Sequence, residues 1–154
     1  MFYSQISINS DINNLSELEM FIDEVMDNYH IEEQYYGILS VPLIESTKNA
    51  IIHGNKNNVQ KKVTISIQKN DKEIQCSVSD EGSGFDYDSI INSPIEKITT
   101  NGLLKIKSLS EKITFYNNGA TISYSQNIPT IKQKHSKAKL IHQNNSKIIK
   151  TKMR

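Results

Sequence analysis

The sequence predicts an α+β fold: a two-layer sandwich with helices covering one face of a mixed, mostly antiparallel sheet. Three observations lead there. Two segments with apolar residues at helical spacing lie early, between Leu15 and His53. Four short alternating segments come next as two hairpins, near residues 63–79 and 112–124. A glycine-bearing polar stretch and one further helix separate the hairpins, so the predicted order is β-α-α-β-β-loop-α-β-β.

Each element has its own signal. FYSQISI alternates and opens the chain as a strand. The turn-rich NSDINN comes after it, and Asn14 or Ser16 is placed to cap a helix. In that helix Leu15, Leu18, Phe21, Ile22, Val25 and Met26 share a face, and it ends near Asn28 to His30. A second helix runs from about Glu33 to His53. It is expected to open irregularly, because Pro42 removes an amide and disfavours helical backbone at Val41. Gly54 suits a C-terminal cap with positive φ. VTISIQ (Val63–Gln68) and EIQCSVS (Glu73–Ser79) form a hairpin across Lys69–Lys72, with Cys76 read as a half-buried strand residue. A helix is expected from Leu103 to Ser110, then strands KITFY and ATISY about the turn Asn117-Asn118-Gly119.

Composition narrows the classes. The 154 residues suit one domain, and 36% hydrophobic with 23% charged residues favours a folded chain over disorder. No apolar run approaches the roughly 20 residues of a membrane-spanning helix. The N-terminus lacks the basic and apolar regions of a secretory signal. One cysteine makes no internal disulfide, so a reducing, cytoplasmic setting is the expectation. The net charge of +1 hides a division. Residues 1–131 hold all 17 acidic residues against 10 of the 18 Lys and Arg, net −7, whereas residues 132–154 carry eight cations and no acid. An acidic body with a basic tail differs from a basic nucleic-acid-binding domain, and the tail lacks interleaved aromatics.

Three segments carry chemistry. In LIESTKNAIIHGN, Glu45 and Asn49 are one helical turn apart on one face. A carboxylate beside a carboxamide offers a base or water-orienter next to an oxygen ligand for a hard cation such as Mg²⁺; an ordinary polar helix face has the same pattern. In DEGSGFD, Asp80 ends a strand, and Gly82 and Gly84 let backbone turn close to a ligand; the carboxylate can accept from an exocyclic amine. A plain turn reads the same way. In TTNGLLKIKSLSEKITFYNNGATISY, Gly102 and Leu103 stand at a helix start, where free amides attract phosphate, and Thr121 offers a hydroxyl beginning a strand.

Taken in order, Glu-x-x-x-Asn ending in His-Gly, a hairpin, Asp-x-Gly-x-Gly-Phe, a short lid and Gly-Leu at a helix start resemble the GHKL, or histidine-kinase-like, ATPase superfamily. NAIIHGN and SDEGSGF are most similar to the stand-alone anti-sigma-factor serine kinases of partner-switching systems, and the resemblance covers about Leu15 to Tyr124. It implies a Bergerat-type ATP-binding fold over residues 1–128, with 129–154 as a basic, partly disordered tail. It implies ATP and Mg²⁺ as cofactors, Glu45 as the catalytic glutamate and Asn49 as the Mg²⁺ ligand. Asp80 then hydrogen-bonds adenine, Gly82 and Gly84 shape that pocket, Gly102 and Leu103 meet the phosphates, and Thr121 contacts adenine through water. His53 has a family counterpart and is read as helix-terminal packing and capping. The implied activity is a serine/threonine protein kinase that phosphorylates a small anti-anti-sigma-type protein and sequesters a sigma factor or other regulator, as a homodimer, without membrane or specific nucleic acid.

Two departures set up an alternative, a catalytically weak or inactive nucleotide-binding switch module. Where the family lid has Gly-x-Gly-Leu, this chain has Thr100-Asn101-Gly102-Leu103. No arginine precedes Arg154, so Lys97, Lys105 or Lys107 would have to act on transferring phosphate as point charges.

Overall fold

The structure, a computed structural model, describes residues 1–84, 94 and 101–128. Strands β1 (Phe2–Asn9), β2 (Lys62–Lys69), β3 (Ile74–Ser79), β4 (Lys112–Tyr116) and β5 (Thr121–Gln126) form one sheet in the order β1-β2-β3-β5-β4. Every pairing is antiparallel, so the parallel component expected of a mixed sheet does not occur among the described strands. Helices α1 (Leu15–Asn28), α2 (Tyr36–Asn49) and α3 (Asn101–Leu109) complete the order read from the sequence.

Register explains the layers. Ile6 pairs with Ile65, Ile65 with Val78 and Val78 with Ile122, placing four apolar side chains in a row across the sheet. Ile8–Val63, Ile67–Cys76 and Cys76–Tyr124 form flanking rows. These side chains meet Leu18, Ile22 and Val25 of α1, Leu39 and Leu43 of α2, and Ile106 of α3 in one core. The opposite face carries Ser7, Thr64, Ser66, Ser77, Ser79, Thr121 and Ser123, short polar groups that need no apolar cover. Cys76 is fully buried, not half-buried, because it sits between Ile67 and Tyr124 on the helix-covered face.

Three local expectations change. Asn14 precedes α1 but gives no side-chain cap; Asp11 caps the preceding 3-10 turn by accepting from the amide of Asn13 at 2.9 Å. The second helix opens irregularly as expected, with a 3-10 turn at Glu33–Tyr35, but the irregularity is not at Pro42, through which α2 continues. The carbonyl that a residue-42 amide would have taken belongs to Ile38, and the Gln126 side chain donates to it instead. Ser46 Oγ donates to the Pro42 carbonyl at 2.7 Å, closing the same stretch. Gly54 does not have positive φ; the left-handed residues after α2 are Lys56 and Asn57.

Candidate functional site

The C-terminal half of α2 and the π turn that continues it, Ala50–Gly54, carry the sequence motif along one line. The π turn is fixed by an Asn55 amide bond to the Ala50 carbonyl at 2.8 Å. At one end a polar cradle forms around Gly54, and Asn49, about 7 Å back along the axis by helical rise, begins a second cluster that includes charged groups.

Gly54 explains the cradle. A Cβ there would fall 2.3 Å from Asp80 Cγ, so the absent side chain is the space the Asp80 carboxylate occupies. A Cβ on Gly82 would fall 2.2 Å from the Gly54 carbonyl oxygen, so two backbones touch at this point. Asp80 accepts from the Gly82 amide at 2.7 Å, and its own amide donates to Ala120 O at 2.9 Å. Gly84 has φ +77° and its Cα packs on Asn118 O of the β4–β5 turn, which leaves no room for a side chain. Burial raises the Asp80 carboxyl above the usual carboxylate range, while the Gly82 amide and the charge of Lys61 pull it back. The half-buried carboxylate keeps Oδ2 without a hydrogen-bond partner among the described residues, the kind of acceptor an exocyclic amine requires.

The charged cluster holds Glu45, Asn49 and Gly102. A Cβ on Gly102 would lie 2.9 Å from Glu45 Oε2 and 3.8 Å from both terminal atoms of Asn49, so the start of α3 touches the ends of both side chains and a side chain at 102 would displace the Glu45 carboxylate. Glu45 Oε1 pairs with Lys105 at 3.1 Å and with Lys48 at 3.7 Å. Leu103, one residue on, is buried in the core and anchors the start of α3. The carboxamide and carboxylate supply hard oxygen donors that suit Mg²⁺. Among the described residues no three His, Cys, Asp or Glu side chains converge to hold an ion alone, so a bound metal here would need ligands from a phosphate chain.

Of the expected site residues, the structure brings together Glu45, Asn49 and Gly102 at one end, and Asp80, Gly82 and Gly84 at the other. Thr121 stands apart. Its hydroxyl bonds Ser79 Oγ at 2.8 Å and accepts from Asn117 Nδ2 at 3.1 Å, on the sheet face opposite Val78 and Ile122. Its link to Asp80 runs through the backbone of Ala120. His53 is exposed in the last turn before Gly54. Lys97, Thr100 and most of the lid, with the tail, lie outside the described residues.

Sequence reasoning missed Asn55. Fully buried, it donates to Ser10 Oγ at 2.7 Å and Lys62 O at 2.9 Å, and accepts from the Glu81 amide at 2.8 Å. One side chain thus fixes the Asp80–Gly82 turn to β1, β2 and the end of the helix. Its signal was present, an asparagine closing NAIIHGN, but nothing in the sequence told a structural amide from a cap.

The sequence model of the histidine kinase-like ATPase domain matches residues 8–125, which contain both clusters. The chain belongs to the histidine kinase-like ATPase family. Membership implies a site for ATP. Curated proteins yield no match. The fold is shared with the crystal structure of the RsbU and RsbW domains of Rv1364c from Mycobacterium tuberculosis, at 16% identity and TM-score 0.60. That match covers 84% of this histidine kinase-like chain and 34% of the mycobacterial chain, so this chain spans about a third of its length. No helix among the described residues is long and apolar enough to cross a membrane.

Proposed function

We propose that this domain is an ATP- and Mg²⁺-dependent serine/threonine protein kinase of the anti-sigma-factor type. It phosphorylates a small anti-anti-sigma-type protein and sequesters a sigma factor or comparable regulator, acting in the cytoplasm. The observation that carries the reading is the pairing of an adenine-type cradle at Gly54, Asp80 and Gly82 with an acid–amide cluster at Glu45 and Asn49 on the same helix.

In this reading Asp80 accepts from the adenine amine, and Gly82 and Gly84 keep the backbone close to the base. Asn49 holds Mg²⁺, which when bound offsets phosphate charge. The free amides of Gly102 and Leu103 face phosphate oxygens at the start of α3. Glu45 orients an incoming serine hydroxyl and accepts its proton. Lys105, already 3.1 Å from Glu45, positions that carboxylate and supplies a point charge in place of a missing lid arginine. Catalysis then rests on positioning and charge, since phosphoryl transfer asks little covalent chemistry of the protein.

A second reading, a nucleotide-binding switch without transfer, is favoured by one observation: Lys48 and Lys105 both engage Glu45 Oε1, which leaves only Oε2 of the carboxylate outside an ion pair. Capture of partners by the immobilised full chain, with and without radiolabelled ATP, separates the two. The kinase reading expects a retained small protein that acquires label on serine or threonine. A partner retained in an ATP-dependent way with no label would establish the switch module instead.

A further inference from the structure

Residues 1–47 carry nine carboxylates and neither lysine nor arginine. Five lie on α1, at Glu17, Glu19, Asp23, Glu24 and Asp27, and all are exposed. Among the described residues no cation pairs with any of them. The arrangement opposes helix stability: Glu19, Asp23 and Asp27 repel at successive four-residue intervals, and α1 has no basic residue in its last turn to offset Asp27 at the negative end of the dipole.

Beside these charges lies a groove of about 720 Å³ lined by Asp23, Met26, Asp27, Ile31, Glu33 and Tyr36. Its floor is apolar, with Met26 and Ile31 buried, and its rim is anionic. The Tyr36 hydroxyl is held above its ordinary pKa by burial and then by the charges of Asp23 and Glu19, a sign of the local negative potential.

The described chain ends at the same end of the sandwich. Gln126 reaches the Ile38 carbonyl, two residues beyond the groove's Tyr36. Ile128 is fully buried, its carbonyl held by the buried Lys69 Nζ at 2.8 Å. The segment C-terminal to it complements the groove: residues 132–154 hold eight cations, no acid and two apolar pairs, Leu140-Ile141 and Ile148-Ile149.

We infer that the groove between α1 and the start of α2 is the docking site of the chain's own cationic segment, residues 132–154. The apolar pairs pack on the half-buried Tyr36 ring above the floor of Met26 and Ile31, and lysines answer Asp23, Asp27 and Glu33. The 12 residues from Ile128 to Leu140 reach about 40 Å when extended, ample for the return. A tether of this kind supplies an effective concentration near the millimolar range, so modest contacts suffice. Docking would meet α2 at its first residue, Tyr36, far along the helix from Glu45 and Asn49, and is independent of nucleotide.

The test uses the full chain, an equal mixture of ¹⁵N-labelled and unlabelled protein, and a zero-length carbodiimide cross-linker joining carboxylates to lysines. Cross-links from lysines 132–152 to Asp23, Asp27 and Glu33 are expected within single chains. They should exceed those to Asp11 and Glu81, at the far end of the sandwich, and should fall about tenfold between 0.1 and 1 M salt as the Debye length shrinks from about 10 to 3 Å. A second variant, Asp23→Asn with Asp27→Asn and Glu33→Gln, removes repulsion within α1 and so should fold. Trypsin should cut it after Lys139 and Lys147 about tenfold faster than wild type, because cleavage tracks the undocked population. Cross-links spread evenly over all carboxylates, cross-links found only between labelled and unlabelled chains, or equal cleavage rates would each overturn the proposal.

Discussion

Gly54→Ala places one methyl group 2.3 Å from Asp80 Cγ and Oδ2 and 2.7 Å from Oδ1. Ordinary contact between such atoms is about 3.5 Å, so the carboxylate has to move by about 1 Å. Backbone strain does not enter, because Gly54 does not have positive φ, and alanine's better helical propensity works in the variant's favour by about 1 kcal/mol. Overpacking of this kind costs about 1–3 kcal/mol, which leaves a net loss of about 0–2 kcal/mol, read as a melting point lower by up to about 8 °C. Moving Asp80 also breaks its bond to the Gly82 amide and withdraws the acceptor from the cleft. A hydrogen bond to a charged group contributes about 1.5–3 kcal/mol, so ATP affinity should fall roughly 10- to 100-fold by calorimetry. Gly37→Ala is the control. Nothing lies within 4 Å of a Cβ there, and the change near the start of α2 should raise stability by about 0.5–1 kcal/mol with ATP affinity unchanged. A Gly54→Ala protein that melts and binds ATP like wild type would refute the claim that this glycine exists to admit Asp80.

Asn55→Ala strips a buried acceptor from the Glu81 amide and buried donors from Ser10 and Lys62; denaturant melts should show a loss of about 2–4 kcal/mol. Asn49→Ala should weaken ATP binding in the presence of Mg²⁺ while leaving the Mg²⁺-free affinity near wild type, so the two calorimetric affinities converge. Asp80 sets a pH dependence. Its folded pKa is raised by burial, so its stabilising contribution is largest at low pH and is lost as pH rises through the folded value, whereas adenine binding needs the ionised form. ATP affinity should therefore fall on acidification at a pH above the ordinary carboxylate range. An affinity flat through that window would remove the Asp80 carboxylate from the site.

Periodicity was enough to place α1, because Leu18, Ile22 and Val25 all face the sheet and no tertiary contact reverses their preference. The strands were legible for the same reason: alternation along Val63–Lys69 and Ile74–Ser79 is alternation between an apolar core and a hydroxyl-covered face. Pro42 misled, because the repair of its missing hydrogen bond comes from Gln126, 84 residues away, and no local rule sees that donor. Gly54 misled in a related way. A glycine after a helix reads as a cap, whereas here the requirement is a close approach by Asp80 from another strand. The residues of the two clusters were legible through motif order, yet their partners were not: Lys105 on Glu45 and Asn55 on the Glu81 amide depend on how α3 and the Asp80 turn pack against α2. Thr121 shows the limit of reading a strand residue singly, since register with Ser79 decides which face its hydroxyl takes.

The most direct test is Glu45→Gln, measured as ATP affinity and as the rate of γ-phosphate transfer to a serine-bearing partner in the same preparation. The amide keeps the size of the side chain and one accepting oxygen but loses the anion, and with it the ion pairs to Lys48 and Lys105. If Glu45 acts on the attacking hydroxyl, affinity stays within about threefold of wild type, because the adenine is held elsewhere, and transfer falls by roughly 10²–10⁴-fold, the usual contribution of a positioned base. An active wild type whose Glu45→Gln variant transfers phosphate at an unchanged rate, or a wild type that binds ATP and partner without transferring phosphate, would contradict the kinase account.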